Sequence, residues 1–309
     1  MSALHGLPQS PQLGPQRGPQ HGPQRGPQHG LLYFALRRFA DNRAALVCGL
    51  ILAVIILMAL LAPLITPTGY ADQDYLTEAL AFPSASHWFG IDDLGRDFFT
   101  RIVFGARVSL SIGFSAALFS VVIGIPLGAI AGFYGGMADW WVMRLIELFS
   151  VVPPLLAAML LGALTNGGFL TIVLIAALFG WVQVCLLVRA QVKAFREKEF
   201  VRAAQALGAS PLYIIRRHLI PNSVSPIIVG FVLAIPLAMM LEASLSFLGI
   251  GVPPPVPSWG QMINVGMNFM YFYWHLAVFP TAALAVTVLA TTLFGDGLRD
   301  ALDPTMKGR

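Results

Sequence analysis

Residues 148–188 read LFSVVPPLLAAMLLGALTNGGFLTIVLIAALFGWVQVCLLV, a run without one charged side chain. A hydrocarbon core of ~30 Å is crossed by about 20 helical residues at ~1.5 Å each, so this run is twice too long for one crossing. Thr165-Asn166-Gly167-Gly168 in its middle has turn chemistry. The stretch is a helical hairpin, with spans over 140–164 and 169–190. The whole chain agrees with that reading. Of its 309 residues 57% are hydrophobic and 11% charged, with a mean hydropathy of +0.73, where soluble domains carry about 25% charge. A secreted disulfide scaffold, a cytosolic enzyme and a nucleic-acid-binding domain are excluded, because none solvates itself with so few charges. The fold class is all-α, a polytopic membrane protein.

Working outward from the hairpin, the uncharged stretch from Ala44 to Ile65 makes a first span. A polar segment follows, carrying Asp72, Asp74, Glu78, Asp92, Asp93 and Asp97. The second span lies at about 107–133 and is closed by Gly132, Gly135 and Gly136. Beyond the hairpin, Arg189 to Arg217 is the most basic stretch, and a fifth span covers about 222–247. Pro253-Pro254-Pro255-Val256-Pro257 cannot be helix, so it lies outside the bilayer or in a protein-lined pocket. A sixth span fits about 276–294, which gives six transmembrane helices.

Orientation follows from the basic residues. Of 19 Lys and Arg, only Arg96, Arg101 and Arg107 fall outside if the N-terminus is inside. Both termini are therefore expected in the cytoplasm, and the segments 67–106 and 248–275 outside. The same bias accounts for a formal net charge of +4 and a pI near 9.3 without any nucleic acid. The chain divides into a cytoplasmic tail over 1–30, an N-terminal region with the first span over 31–66 and an external loop over 67–106. A core of five spans over 107–298 carries a cytoplasmic connector at 195–222, and 299–309 forms a cytoplasmic C-terminal tail.

Residues 14–29 repeat Gly-Pro-Gln-Arg/His. A period of four excludes the collagen repeat and Pro with Gly excludes helix, so this is a disordered, low-complexity tail; contact of its basic groups with anionic lipid is the weaker alternative. The first thirty residues hold no apolar h-region, and insertion is expected to rest on a retained transmembrane helix. Cys48 and Cys185 sit inside apolar runs as small buried hydrophobes.

The connector Lys198–Asn222 reads KEFVRAAQALGASPLYIIRRHLIPN. Phe200, Ala203, Ala204 and Leu207 recur at helical spacing on one face, Gly208 stops that helix, and Ser210 with Pro211 starts a second one that runs to Pro221. An element tethered by membrane spans at both ends does not suit a DNA-reading helix-turn-helix. What remains is an ordinary basic loop or a docking element whose small apolar face lies in the groove of a cytoplasmic partner.

Ala203-Ala204, Gly208 and His218-Leu219-Ile220-Pro221-Asn222 resemble the EAA loop of binding-protein-dependent ABC importer permeases. Arg202 stands where the name-giving Glu of that motif is usual, and Glu199 lies one turn earlier. The resemblance extends to His87–Asp97, Gly105–Leu110, Leu241–Gly249, Pro257–Gly260 and Gly295–Pro304, covering about residues 35–305 and pointing to the second permease of a heterodimer in the dipeptide/oligopeptide/nickel group. It implies the type I importer permease fold. It further implies a second homologous permease, two ABC ATPase subunits, a periplasmic or lipid-anchored binding protein, and an inner-membrane location in contact with lipid. Coupling to the ATPase would fall to Glu199, Arg202, Ala203, Ala204, Gly208, His218 and Pro221, and the periplasmic entry to Asp92, Asp93, Gly95, Arg96 and Asp97. Peptides are the implied cargo; nickel chelates, glutathione or another small solute is the alternative. A stand-alone secondary transporter would need inverted repeats and ion-coupling groups, and no such repeat is evident.

No glycine-rich phosphate loop precedes any of Lys193, Lys198 and Lys307. ATP and Mg are accordingly expected on partner subunits, with no cofactor, metal or catalytic residue on this chain. Gly295-Asp296-Gly297 is taken as a helix terminus with an Asp–Arg pair. A carboxylate inside a span needs a partner or water. Arg144 and Glu147 suit an i,i+3 ion pair. Glu242 has no basic neighbour; it either hydrogen-bonds backbone at the external loop or lines the translocation path.

Overall fold

The computed structural model describes residues 37–74, 78–165 and 167–302. The repeat tail of 1–30 and the last residues of the C-terminal tail lie outside them. Among the described residues regular structure is helical, and the one isolated bridge pairs Ile91 with Asp97. The long helices are α1 (Arg43–Leu60), α3 (Phe98–Tyr134), α6 (Phe169–Arg196), α10 (Val224–Phe247) and α12 (His275–Leu302), each apolar and long enough to cross a membrane. Short helices fill the connections: α2 (Ala62–Ile65), α4 (Gly136–Val151), α5 (Pro154–Leu164), α7 (Glu199–Ala206), α8 (Pro211–Ile214), α9 (Ile220–Asn222) and α11 (Trp259–Phe269).

The third span is not one helix. Val152 and Pro153 are extended, and α4 and α5 meet at 81°. Pro153-Pro154 is the cause: each ring removes an N–H and drives the preceding residue out of the helical region. The two pieces nonetheless make one broken crossing. At the Gly208 end of the bundle Asp139 of α4 holds Arg189 of α6 with two bonds of 2.5 and 2.6 Å. At the Asp92 end Gly162 of α5 closes on Ile250, and Gly168 N–H donates to Gly251 O at 3.2 Å.

Other boundaries move for local reasons. The second span begins at Phe98, ahead of 107, because the Asp97 carboxylate accepts the Thr100 N–H at 2.8 Å and caps the helix. At ~1.5 Å per residue its 37 residues reach about 55 Å, so α3 outruns a hydrocarbon core. The sixth span runs on through Gly295-Asp296-Gly297 to Leu302, which corrects the expected terminus there. Both glycines are where neighbouring helices touch. A Cβ on Gly297 would run into that of Ala45 on α1, and one on Gly295 would come within 2.8 Å of Leu233 on α10.

Spans α3 and α6 are pressed together by Gly124, Gly128 and Gly132, spaced four apart on α3. A Cβ on Gly128 would lie 2.6 Å from Cys185 O, and one on Gly132 2.7 Å from Arg189 O. Small residues let backbones approach where no water drives helices together. The two cysteines are buried and free. Arg144 and Glu147 pair on an exposed face at 2.5 Å, with the guanidinium 5.3 Å from the Trp140 ring centroid.

Candidate functional site

The connector at the Gly208 end is built as two helices around a tight stop. Glu199 opens α7, where a carboxylate suits the helix N-terminus. At its far end Gly208 N–H donates to Gln205 O and Ala209 N–H to Ala204 O, both at 3.0 Å. That double closure needs a left-handed residue, supplied by Gly208 at φ +79°. Ser210 then accepts the Tyr213 N–H at 3.4 Å, with Pro211 in the first turn of α8.

Pro221 has no N–H to give, and the chain answers with a π turn over Ile215–Leu219. Asn222 Nδ2 donates to His218 O at 2.5 Å, and Ser223 Oγ to Leu219 O at 2.9 Å. The second helix therefore continues past Pro221 almost into α10. His218 stands between Phe200 and Tyr213, with ring centroids 6.3 and 5.8 Å away, and so joins α7 to α8.

The faces of α7 divide differently from the expected set. Val201 is fully buried, and Ala204 packs inward beside it against the cluster of Ile214, Leu219 and Val192. Phe200, Ala203 and Leu207 face outward, Leu207 being 88% exposed. Leu212 and Tyr213 extend that apolar surface onto α8. Arg216 and Arg217 flank it, and Arg202 pairs with Glu197 at 3.1 Å on the exposed side, not with Glu199.

At the Asp92 end, Asp92, Arg96 and Arg101 form one buried knot, at 3%, 7% and 4% exposure. One Asp92 oxygen lies 2.6 Å from Arg96 Nε and 3.2 Å from Arg101 Nε, while the other accepts the N–H groups of Leu94 and Arg96, each at 2.9 Å. Gly95 permits the turn at φ +75°. Arg101 Nη1 reaches Tyr70 O at 3.1 Å and Pro255 O at 3.4 Å, tying three segments together. Asp97 also meets His87 Nδ1 at 3.0 Å. Phe89 stacks on Phe279 of α12 at 4.3 Å and seats the loop on the bundle. Asp93 is half-buried beside Asp92; burial, then that neighbouring charge, pushes its carboxyl above the usual range. Most of this motif therefore points inward, and the surface it offers is made by Leu94 and Trp88.

Glu242 of α10 is wholly enclosed by this chain. It accepts from Ser246 Oγ at 2.7 Å and from Ser109 Oγ at 3.2 Å, so its partners are hydroxyls and not backbone. Ser109 in turn accepts the Trp259 N–H at 3.3 Å, Ser258 lies 3.4 Å from Ser246, and Trp259 Nε1 donates to Ile102 O at 3.0 Å. One carboxylate thus joins α3, α10 and α11. Among the described residues no three His, Cys, Asp or Glu side chains are grouped to hold a metal ion.

Two ties escaped the sequence reading. Arg101 in the knot was signalled only by being one turn beyond Asp97 at the start of a helix. The pairing of Asp139 with Arg189 left no local signal, since it joins two helices whose sequences are far apart.

The long α3, the broken third crossing, and two short helices beyond α6 compose the transmembrane fold of an ABC importer permease. That fold is shared with the methionine ABC transporter MetNI in two crystal forms of its inward-facing conformations, at TM-scores of 0.51 and 0.52 and 18% and 17% identity. In each case 66% of this chain is covered, with 96% and 97% of the other. Residues 124–308 match the binding-protein-dependent transport system inner membrane components, and residues 31–83 the N-terminal transmembrane domain of oligopeptide transport permease C. The chain belongs to this family of membrane-spanning permease subunits. Its relatives include the oligopeptide transport system permease protein OppC of Bacillus subtilis, 40% identical over 88% of this chain and 89% of that one. The dipeptide permease DppC of the same organism is 41% identical over 88% and 85%. The glutathione permease GsiD of Pectobacterium atrosepticum is 39% identical over 88% and 90%.

Proposed function

We propose that this chain is one of two permeases in an ATP-driven peptide importer, receiving di- or oligopeptides from an extracytoplasmic binding protein. The observation that carries this reading is the outward apolar face of Phe200, Leu207, Leu212 and Tyr213, rimmed by arginines and held on the buried Val201 and the half-buried Ala204. A large exposed apolar patch rimmed by polar groups marks an interaction site. An ATPase subunit docked there moves α7 and α8 as one body, and the near-continuous path from α8 through the π turn to α10 hands that motion to the spans. ATP binding and hydrolysis on the partners would then turn the cavity between the two permeases from one side of the membrane to the other.

In this reading the Gly208 end is cytoplasmic, as are both termini, and the Asp92 end faces the binding protein. Glu199, Arg202, Ala203, Ala204, Gly208, His218 and Pro221 shape the coupling surface, with Ala204 and Gly208 acting from its inner side. Asp92, Gly95, Arg96 and Asp97 keep the entry loop in shape. Glu242 is a packing anchor: a carboxylate shut away under three serines does not meet cargo. Glutathione is the second reading, favoured by relatives that are 39% identical and named for its transport.

The test is reconstitution of the complete complex in proteoliposomes with its binding protein. ATP-dependent uptake of trialanine is expected, and glutathione uptake in its place would select the second reading. A Leu207→Asp chain should reach the membrane and lose the ATPase on purification. Retention of the ATPase by that variant would remove the coupling assignment.

A further inference from the structure

Along one face of α6 burial changes abruptly with depth. Ile172 and Ala176 are buried, Ala176 packing with Ala116 of α3 and Ala238 of α10. Two turns on, Gln183 is exposed; Leu187 is then half-buried, and Ala190 and Ala194 are exposed. All six share the face, because successive members are one or two helical turns apart. Its flanks are covered. Leu187 comes within 3.9 Å of the place a Cβ on Gly230 of α10 would take. On the other side Val182 and Leu186 pack with Val142 and Ile146 of α4, and the Phe179 ring meets that of Phe149 at 6.2 Å. The exposed stripe is thus the floor of a groove between α10 and α4. Toward the Asp92 end the groove is shut, where Gly162 of α5 closes on Ile250 after α10. Toward the Gly208 end it stays open as far as Ala194.

Gln183 stands at the closed end of that groove. No Asn or Gln lies within α1, α3, α10 or α12, and Gln191 of α6 is past Arg189, so Gln183 is the one side-chain amide inside the apolar length of a long helix. At ~1.5 Å per residue it lies about 9 Å inside the level of Arg189, too deep to reach the interface. Its amide has no hydrogen-bond partner among the described residues. Acyl chains satisfy neither its donors nor its acceptor, and an unsatisfied polar group in hydrocarbon is strongly disfavoured. The groove floor at Gln183 therefore meets water or a polar molecule.

We propose that the stripe from Gln183 to Ala194 walls the passage taken by cargo, and that the Gln183 amide hydrogen-bonds the peptide groups of the cargo at its closed end. A glutamine amide carries one acceptor and two donors, the complement of a peptide group. The stripe itself holds no charge, so it discriminates neither cargo side chains nor cargo termini. A peptide group entering such a passage leaves water behind, and the amide replaces a bond that it loses. The inference rests on the importer reading and names a residue of this chain that cargo touches in transit.

The experiment uses the full complex in proteoliposomes with its binding protein and radiolabelled trialanine. Gln183→Met keeps the length of the side chain and removes its amide. At saturating trialanine and binding protein, uptake per complex should fall about tenfold, as expected for one lost hydrogen bond, with the thermal midpoint of the complex at its wild-type value. Uptake and midpoint falling together would assign the amide to a bond with the partner permease, and unchanged uptake would show that it touches no cargo; either result overturns the proposal. In a Gln183→Cys chain the thiol should react with a small cationic methanethiosulfonate, and trialanine delivered during turnover should slow that reaction severalfold. Cys48 and Cys185 are buried and free, so the labelling reports position 183. Leu57→Cys, on the exposed face of α1, should stay unreactive in lipid. A thiol at 183 as inert as the one at 57 would also overturn the proposal. Wild-type complex that takes up neither trialanine nor glutathione would sink the importer reading and the proposal with it, and is told apart by the absence of any uptake to compare.

Discussion

Arg101 Nε lies 3.2 Å from the same Asp92 oxygen that Arg96 Nε approaches to 2.6 Å, and all three side chains are buried. Two guanidinium groups crowd one carboxylate away from water, the nearest further carboxylate being Asp93, 3.9 Å from Arg96 Nη2. Arg101 offsets this by donating to Tyr70 O and Pro255 O, so the pairing also locks the entry loop to α3 and to the proline-rich loop.

Removing the shared carboxylate should therefore be severe. Asp92→Ala leaves the buried Arg101 without its carboxylate and Arg96 with only Asp93, 3.9 Å away, a loss on the order of 3–5 kcal/mol. Thermal unfolding of the purified complex in detergent is expected to show a marked fall in midpoint and a lower yield. An unchanged midpoint would mean that the knot is wetter than its burial indicates.

Asp93 carries a pH dependence of known sign. Its folded value is raised above the ordinary 3.8 by burial first and by Asp92 second. The fold thus favours the protonated form, and that contribution is complete below the ordinary value and lost as pH climbs through the raised one. Asp93→Asn, which cannot ionise, should gain stability relative to wild type between pH 4 and pH 8. A difference in unfolding midpoint that stays flat across that range would contradict it.

The connector separates two kinds of substitution. Gly208→Val forces a β-branched residue to φ +79° and breaks the double closure of α7. Ala204→Trp overfills the cluster beneath α7, at about 1–3 kcal/mol for overpacking. Both variants should insert normally, since insertion depends on apolar spans elsewhere, and should lose substrate-stimulated ATP hydrolysis. Arg202→Ala should do little, as an exposed pair is worth about 0–1 kcal/mol. ATPase assays on the three purified complexes decide the order.

The first and last spans approach each other closely at Gly297 and again at Gly49, which faces Phe294. Gly297→Leu places a side chain where Ala45 of α1 already sits and should push α1 off the bundle. Cysteines introduced at Gly49 and Phe294, which face each other across the two spans, should then cross-link less readily than in the parent, with the other five crossings intact by protease mapping. Equal cross-linking would show that α1 shifts without letting go.

The apolar runs and their lengths were enough to find the membrane, the helical class and five of the crossings, because burial in lipid depends on composition over some twenty residues and on little else. The stop at Gly208, the cap at Ser210 and the Arg144–Glu147 pair were equally legible, each being decided within one turn of chain. The break at Pro153-Pro154 was not read in a span expected to run unbroken over 140–164, and whether the two halves cross together was decided only by Asp139 meeting Arg189 and Gly162 meeting Ile250. The same holds for the inward turn of Ala204, the knot on Asp92 and the serines around Glu242. Helical spacing places a residue on a face, but which face turns inward depends on what packs against it. For these residues that is set by helices brought together from distant parts of the chain.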